Sequence, residues 1–493
     1  MENNIIAIDL GTTRTRIVAG VSDDKKSYGL SILCYEDMPS QGMRRGAIFN
    51  KDEVSKVLNN LLLGIEKRLT DLKAKKPRQK SIVVVNLGGQ SFTTSLTNAT
   101  LGINGRNVTS QTLINLEKVA RDKKEQLLVL NDETLTHIEP TGYSIDNEPL
   151  TFDVINRNGS QIEGRYICTS SPRKIKEIQT KAFPLKFSPW NFYTTASAKA
   201  QVLLNPAQRR DGIVLVDLGG GCTSIAVYHQ DSLRYEISIP IGSDTITRDI
   251  AVGLGLSNLA DAEMIKRNFG IMPEADASKH YSVKLPNGGT VKFKGQQLNY
   301  IIRARTEEIA AYVYSALQDN APKNKWPRDI KMAITGGGAK LKGIAKIMAE
   351  QIGLEVSGIQ VPSIENVEPK ATEEFAGAIG MASTCAREYV EPTPTTQQTL
   401  FGSDDFGTTP TPTEQPVQTQ TAEPASTDAN SGVEQKKEAE TTKTTSDGEH
   451  AHTAPQAARH EHSKDEEEKK RSLGGWIKGR INGLFTDDFD EKK

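Results

Sequence analysis

The sequence has few cysteines, no long apolar run and almost no net charge, and each shortage excludes a class of protein. No apolar run approaches the roughly 20 residues that cross a bilayer, so we expect no transmembrane helix. The 61 Lys and Arg residues balance 62 Asp and Glu residues, which predicts no global attraction to nucleic acid. The cysteines lack the spacing of metal ligands and are expected to be reduced thiols of a cytosolic protein: Cys34, Cys168, Cys222 and Cys385.

The N-terminal stretch MENNIIAIDLG has no basic segment and reaches Asp9 before an apolar core could form, so we expect no signal peptide. Apolar periodicity continues to about Val390 and then stops. A folded core of this length is large enough for two or more domains.

One motif occurs twice, as IDLGTTRTRIV at Ile8–Val18 and as VDLGGGCTSIAV at Val216–Val227. In each copy an apolar run ends at an aspartate, a turn of small residues follows, and β-branched residues resume. This pattern predicts a strand, a tight turn and a second strand. One copy alone would fit an ordinary β-turn, whereas two copies far apart in the chain indicate two related halves.

The small residues in both turns suit phosphate binding, because glycine lets backbone N–H groups approach a phosphate and threonine adds hydroxyl donors. Asp9 and Asp217 end their strands and are candidates to hold Mg²⁺ through water, since Mg²⁺ keeps much of its hydration shell. The candidate nucleotide ligands of the two turns are Asp9, Gly11, Thr12, Thr13, Asp217, Gly219, Gly220, Gly221, Cys222 and Thr223.

A third glycine turn follows in Met332–Ile344, MAITGGGAKLKGI, where Gly336, Gly337 and Gly338 could pack against an adenine ring. The order DLGTT, DLGGG, ITGGG resembles the actin, Hsp70 and sugar-kinase superfamily, whose nucleotide lies in a cleft between two lobes of like fold. The resemblance implies an α/β, actin-like two-lobed fold, built on a duplicated ribonuclease-H-like core, with ATP and Mg²⁺ as cofactors.

Three further segments resemble the FtsA family of bacterial division proteins. QGMRRG at 41–46 stands where the family has a KG-x-x-x-G loop, HIEPTGYSID at 137–146 is similar to H-x-x-P-x-x-Y-x-V-D, and AEMIK at 262–266 matches A-E-x-I-K. Glu263 and Lys266 lie three residues apart on one helical face. The resemblance implies that they contact the ribose and base, although a surface ion pair would also fit the spacing.

The resemblance implies a first actin-like lobe at 1–87 and 169–208, an inserted subdomain of the FtsA type at 88–168, and a second lobe at 209–390. A peptide-binding subdomain is expected at about 244–328 of the second lobe. Within it a charged strip near Arg303, Arg305 and Glu307 would receive the C-terminal peptide of the tubulin-like division protein FtsZ. From the residues alone this strip would be a solvated helix face.

Two segments rich in small residues match the helices that link the lobes in this superfamily, Trp190–Asn205 and Phe375–Ala386. The superfamily's water-positioning side chain comes from the first of them. Only Gln201 and Ser197 are candidates there, and no clear catalytic residue is present. We therefore expect slow or absent ATP hydrolysis.

The segment 391–470 is polar, and because it cannot bury enough apolar area to offset its ordering entropy, we expect a disordered linker. The segment 471–489 follows, RSLGGWIKGRINGLFTDDF, with its apolar residues on one half of a helical wheel and bases beside them. Such a helix lies in a membrane interface and is too short to span the bilayer. A protein-docking helix is the alternative. The candidate membrane-binding residues are Leu473, Trp476, Ile477, Lys478, Arg480, Ile481, Leu484 and Phe485.

The expected function is that of an ATP-binding, actin-like cell division protein, peripheral on the cytoplasmic side of the inner membrane at the septum. It would polymerise there and anchor FtsZ filaments, with the FtsZ peptide, other copies of itself, membrane lipid and other division proteins as partners. Other actin-like bacterial proteins, a pilus-assembly ATP-binding protein or a cell-shape filament, remain alternatives. A small-molecule kinase would need a catalytic base and a sugar pocket that the sequence does not show.

Overall fold

The structure is a computed structural model that describes residues 4–72, 81–89, 91–286, 288–324, 327 and 329–388. The predicted linker at 391–470 and the predicted amphipathic helix at 471–489 lie outside these residues. The strands are β1 (Asn4–Leu10), β2 (Arg14–Ser22), β3 (Leu30–Pro39), β4 (Met43–Arg44), β5 (Ala47–Ile48), β6 (Ser81–Leu87), β7 (Thr93–Gly102), β8 (Glu133–Ile145), β9 (Gln161–Pro172), β10 (Pro189–Thr194), β11 (Ile213–Leu218), β12 (Thr223–His229), β13 (Ser232–Ile239), β14 (His280–Lys284), β15 (Thr290–Lys294) and β16 (Lys331–Thr335).

The α-helices are α1 (Lys51–Leu72), α2 (Ser110–Val129), α3 (Arg173–Lys181), α4 (Thr195–Leu203), α5 (Pro206–Asp211), α6 (Ser243–Gly253), α7 (Leu259–Phe269), α8 (Glu274–Ala277), α9 (Gly295–Asn324), α10 (Ile344–Ile352), α11 (Pro369–Glu374) and α12 (Ala376–Glu388). None of the helices in the described part of the chain is long and apolar enough to cross a membrane.

The first sheet has the strand order β10-β6-β1-β2-β3. β1 and β2 form the predicted hairpin in antiparallel register, and β6 joins β1 in parallel. Because side chains alternate along a strand, Ile5 and Ala7 face one side of the sheet while Ile6 and Ile8 face the other. α1 covers the second of these sides. The central strand is therefore buried on both faces, as its unbroken apolar sequence requires.

The second sheet, β13-β12-β11-β16, repeats the same arrangement. β11 pairs antiparallel with β12, which forms the second predicted hairpin, and parallel with β16. One face carries Val214 and Val216 against α6, α7, α9 and α10, and the opposite face carries Ile213 and Leu215. Two sheets of like topology thus start from two copies of one sequence motif.

α4 lies between the two sheets, because Ala196 and Ala200 pack against the second and Ala198 against the first. The sequence predicted a helix from Trp190, but residues 189–194 form β10, paired in parallel with β6. Aromatic and β-branched residues favour a strand there, and the helix begins only at Thr195.

α12 follows the predicted small-residue pattern, and it buries that face against the first sheet. Ala378, Ile379 and Ala382 share a core with strands β1, β2 and β6, although the sequence placed 209–390 in the second lobe. A side chain at Gly380 would overlap the backbone carbonyl of Ala198 in α4. The two linking helices therefore touch backbone to backbone.

The segment between β6 and β10 carries a separate antiparallel sheet, β7-β9-β8. α2 covers it through Leu116 and Ala120, and Thr109 caps that helix by accepting a hydrogen bond from the N–H of Thr112. β9 continues to Pro172, four residues past the expected end of the inserted subdomain at 168.

Candidate functional site

The two hairpin turns enter one cleft of about 500 Å³ from opposite sides. Its volume lies in the range of pockets that hold small ligands and cofactors. The candidates brought together on its walls are Asp9, Gly11, Thr12, Thr13, Asp217, Gly219, Gly220, Gly221, Cys222, Glu263, Lys266, Gly336, Gly337 and Gly338. Thr223 is not among them, because its side chain is fully buried and its hydroxyl donates a 2.7 Å hydrogen bond to the Ile241 carbonyl.

The second turn is held by the start of α6. The N–H groups of Ser243 and Asp244 donate to the carbonyls of Gly219 and Gly220, both at 2.9 Å. A Cβ atom at Gly220 would lie 2.9 Å from the Asp244 carboxylate. A larger residue at position 220 would therefore displace the Asp244 side chain. Burial raises the pKa of Asp244 above its ordinary value.

The two strand-end aspartates are buried on either side of the cleft, each only 5% exposed. Lys199, on α4, places its Nζ atom 2.7 Å from both carboxylate oxygens of Asp217. Burial raises the pKa of Asp9, while the charges of Lys199 and Arg16 act in the opposite direction. Arg16 also lines the cleft, and its buried Nε atom has no hydrogen-bond partner in the structure.

Glu263 and Lys266 form an ion pair at the wall of the cleft, with Nζ 2.6 Å from Oε2. Lys266 is buried and also donates to the hydroxyl of Thr247 at 2.7 Å and to the carbonyl of Ser243 at 3.1 Å. Burial alone would raise the pKa of Glu263, but hydrogen bonds from Lys266, Thr247 and Arg267 lower it to about 2. The pair therefore belongs to a buried network that joins α6 to α7.

The third glycine turn follows β16 and closes the cleft beside the second hairpin. Gly336 has a φ of +92°, and a side chain there would overlap the Asp217 carboxylate. A Cβ atom at Gly337 would meet nothing within 4 Å. This turn thus presents bare backbone to the cavity, which suits close contact with a flat ring.

The QGMRRG loop reaches the first turn, because the N–H of Gly46 donates a 2.9 Å hydrogen bond to the hydroxyl of Thr12. Gly46 has a φ of +77°, and a Cβ atom there would lie 2.9 Å from the sulfur of Cys222 on the second turn. The loop therefore spans both hairpins. Arg44 packs over the ring of Phe49, with its guanidinium carbon 5.6 Å from the ring centroid.

Ser197 and Gln201 are on the wrong face of α4 to position water in this cleft. They line a second cavity of about 660 Å³ together with Glu139 and Glu388. Thr195 and Lys199 face the cleft between the two hairpins instead. Residues two apart on a helix point to nearly opposite sides, whereas residues four apart share a face.

Sequence reasoning missed Lys199, Arg16 and Asn86. Asn86 ends β6, accepts from the N–H of Leu10 at 2.6 Å, and donates to Thr195 at 2.9 Å, so it ties the first hairpin to α4. Two signals were available in the sequence. Lys199 is the one charged residue of an alanine-rich helix, and Arg16 lies on the return strand of the first hairpin.

The family model described as cell division protein FtsA matches residues 214–380. The chain is 25% identical to cell division protein FtsA of Bacillus subtilis over 358 residues, which cover 70% of this chain and 77% of that protein. It is 26% identical to the protein of that name from Borreliella burgdorferi over 398 residues, 77% of this chain and 90% of that protein. The resemblance to FtsA is confirmed.

A solved structure of similar fold is the PilM-PilN type IV pilus biogenesis complex, with a TM-score of 0.53 and 16% identity over 78% of this chain and 98% of that chain. At this identity the likeness concerns the fold alone, and the expected actin-like fold is confirmed. The FtsA relatives support an actin-like function in cell division.

Proposed function

We propose that this FtsA relative is an ATP-binding, actin-like protein that polymerises on the cytoplasmic face of the membrane and anchors FtsZ filaments of the division ring. The observation that carries nucleotide binding is the pair of like hairpins that enter one cleft from opposite sides. The observation that carries division is the similarity to FtsA proteins over most of the chain.

The residues of the cleft fit a nucleotide. Gly11, Thr12 and Gly219–Gly221 offer backbone and hydroxyl donors for phosphates, which is the chemistry of a phosphate-binding turn. Arg16 also lines the cleft and adds positive charge near Asp9. Lys266 and Glu263 would reach the ribose and base beside the bare backbone of Gly337. When bound, ATP would connect both lobes because its ligands come from both sheets.

The test of nucleotide binding is calorimetric titration of the full chain with ATP, beside a Gly220→Val variant. A valine would clash with Asp244 and fill the turn, so we expect it to abolish ATP binding. Gly358→Val is the matched control, because a Cβ atom at Gly358 meets nothing within 4 Å. Equal ATP affinity for all three proteins would refute the assignment of the cleft.

Membrane attachment is proposed from the sequence of the segment 471–489 alone. The test is co-sedimentation with anionic liposomes in the presence of ATP, comparing the full chain, a chain ending at Lys470, and a full chain with Trp476→Glu. A charge on the apolar face weakens interfacial binding, so only the unaltered full chain is expected to sediment with lipid. Sedimentation of the shortened chain would assign membrane binding elsewhere and make the helix a docking element.

The FtsZ peptide is proposed to dock on α6 and α9. Arg305 is committed to α6, because it forms an ion pair with Asp249, with Nε 2.5 Å from Oδ2. Arg303 pairs with Glu307 at 2.7 Å. At the end of α6 and the start of α9, Val252 is 84% exposed and Tyr300 76% exposed, the kind of apolar anchor that peptide sites use.

Fluorescence anisotropy with a labelled FtsZ C-terminal peptide tests this surface. We expect Tyr300→Ala to weaken binding by about tenfold, as for an aromatic anchor. Leu185→Ala removes a side chain that is 97% exposed elsewhere and should leave binding unchanged. Absence of FtsZ peptide binding by the unaltered chain, together with binding of a pilus-assembly peptide, would favour the pilus alternative.

Self-association would strengthen both attachments, because a filament presents many weak membrane helices at once and so gains avidity. The expected result is ATP-dependent pelleting that rises with protein concentration. Rapid ATP consumption with one metabolite, without pelleting, would instead support the kinase alternative.

A further inference from the structure

Lys199 holds a place where a metal ion was expected. Its ammonium group bridges both carboxylate oxygens of Asp217 at 2.7 Å, and the two side chains are only 12% and 7% exposed. A buried ion pair with both oxygens engaged is a defined structural contact rather than a screened surface pair.

Of the other basic side chains on the cleft walls, four have acidic partners outside the space between the hairpins, and Arg16 acts on Asp9. Lys266 and Arg267 both pair with Glu263. Lys340 lies 3.2 Å from Glu374, and Arg14 pairs with Asp37. Lys199 differs because its charge lies between the two hairpins, where it acts on Asp9 as well as on Asp217.

A magnesium ion shared by Asp9 and Asp217 does not fit this arrangement. The ion would approach a carboxylate that already has an ammonium group on both oxygens, and the two cations would repel each other. In this structure, Lys199 therefore occupies the side of Asp217 at which a water-mediated Mg²⁺ ion was expected.

A lysine can supply what the metal supplies here, which is positive charge next to phosphates. Its ammonium is a compact point charge with three donors on a flexible stem, and it binds phosphate without a fixed geometry. Asp217 lies on one side of the Lys199 Nζ atom. Because Lys199 also lines the cleft between the two turns, its remaining N–H donors are available to a ligand there.

We propose that Lys199 provides the cation between Asp217 and the nucleotide phosphates, so that this chain binds ATP without Mg²⁺. The inference rests on the proposed nucleotide binding and concerns the metal requirement of that same site. It assigns Lys199 as a binding residue and Asp217 as the residue that positions its ammonium group.

The experiment measures ATP affinity of the full chain by calorimetry in excess Mg²⁺ and in EDTA. The unaltered chain is expected to bind ATP equally, within about threefold, in both buffers. Lys199→Met keeps the length of the side chain and removes the charge. We expect it to lose about tenfold or more in EDTA, as for a lost hydrogen bond to a charged group, and to recover in Mg²⁺ because Asp217 is then free.

Lys186→Met is the matched control, since Lys186 pairs with Glu66 at 2.7 Å on the surface and should behave as the unaltered chain in both buffers. Binding by the unaltered chain that needs Mg²⁺ would overturn the inference while leaving nucleotide binding intact, and this comparison requires no variant to fold. Equal affinity of Lys199→Met and the unaltered chain in EDTA would overturn it too. No ATP binding in either buffer would refute the proposed function itself, and the inference with it.

Discussion

Glu236 makes the stability of this fold depend on pH. Its carboxylate on β13 is 1% exposed and accepts hydrogen bonds from the hydroxyl of Thr194 at 2.7 Å and the N–H of Ser197 at 3.1 Å. Burial raises its pKa from 4.5 to about 7, even though these two hydrogen bonds act in the opposite direction. The folded protein therefore holds a proton that the unfolded chain has already released at neutral pH.

The direction in which stability changes with pH follows from this difference in bound protons. The stabilisation associated with protonated Glu236 is fully present below pH 4.5 and is lost as the pH rises to about 7. At about 1.4 kcal/mol per pKa unit the loss amounts to about 3 kcal/mol, of which roughly 2.5 kcal/mol develops between pH 5 and pH 8.

Glu236→Gln removes the ionisation and keeps one oxygen, which can accept from the N–H of Ser197, while its NH2 group replaces the oxygen that accepts from Thr194. Relative to the unaltered protein, we expect the variant to gain about 2.5 kcal/mol between pH 5 and pH 8, or roughly 3 °C in melting temperature. Differential scanning calorimetry of both proteins at several pH values measures this difference in melting temperature. Other groups with shifted pKa values, such as His137, are present in both proteins and cancel in the difference.

Glu133→Gln is the matched control, because Glu133 also lies on a strand and accepts a serine hydroxyl at 2.8 Å, from Ser170, but is only partly buried. It controls for the loss of one carboxylate from a strand without removing a fully buried one. If the melting temperature of Glu236→Gln changes with pH in parallel with that of the unaltered protein from pH 5 to pH 8, the reasoning about Glu236 is wrong.

Two further substitutions test the cleft and the contact between the linking helices. Lys266→Met should lower ATP affinity by about tenfold, because Glu263 then loses its buried partner; unchanged calorimetric affinity would contradict this. Gly380→Ala should lower the free energy of unfolding by about 1–3 kcal/mol, because its side chain would overlap the Ala198 carbonyl. Gly358→Ala, where space is open, should have little effect in the same denaturation assay.

The sequence predicted those parts of the structure that depend on local pattern. Both hairpins form where the DLGTT and DLGGG motifs occur, since apolar strands that end in small-residue turns need no distant information. The glycines and aspartates of the cleft were predicted from the same short motifs, without information from distant parts of the chain. The division into domains and the role of each site residue stay predictions.

The missed parts depend on which side of an element faces the cleft. Lys199 and Gln201 lie on one short helix, and only the packing of Ala198 on one sheet and Ala200 on the other decides that the lysine faces inward. The start of this helix was also predicted too early, because the pairing of residues 189–194 with β6 is a contact between distant parts of the chain.

The position of α12 determines where mechanical force on the tail would enter the folded core. Residue 389 follows Glu388 directly, and α12 shares its core with the first sheet, although it comes after the whole second sheet in the chain. Glu388 also accepts a 2.7 Å hydrogen bond from Tyr193 and lies 3.6 Å from His137 of the inserted sheet. Tension along residues 389–493 would therefore enter the folded core at the N-terminal sheet and the inserted sheet. It would reach the second sheet through α4 and through the hydrogen bonds that join β13 to the inserted sheet.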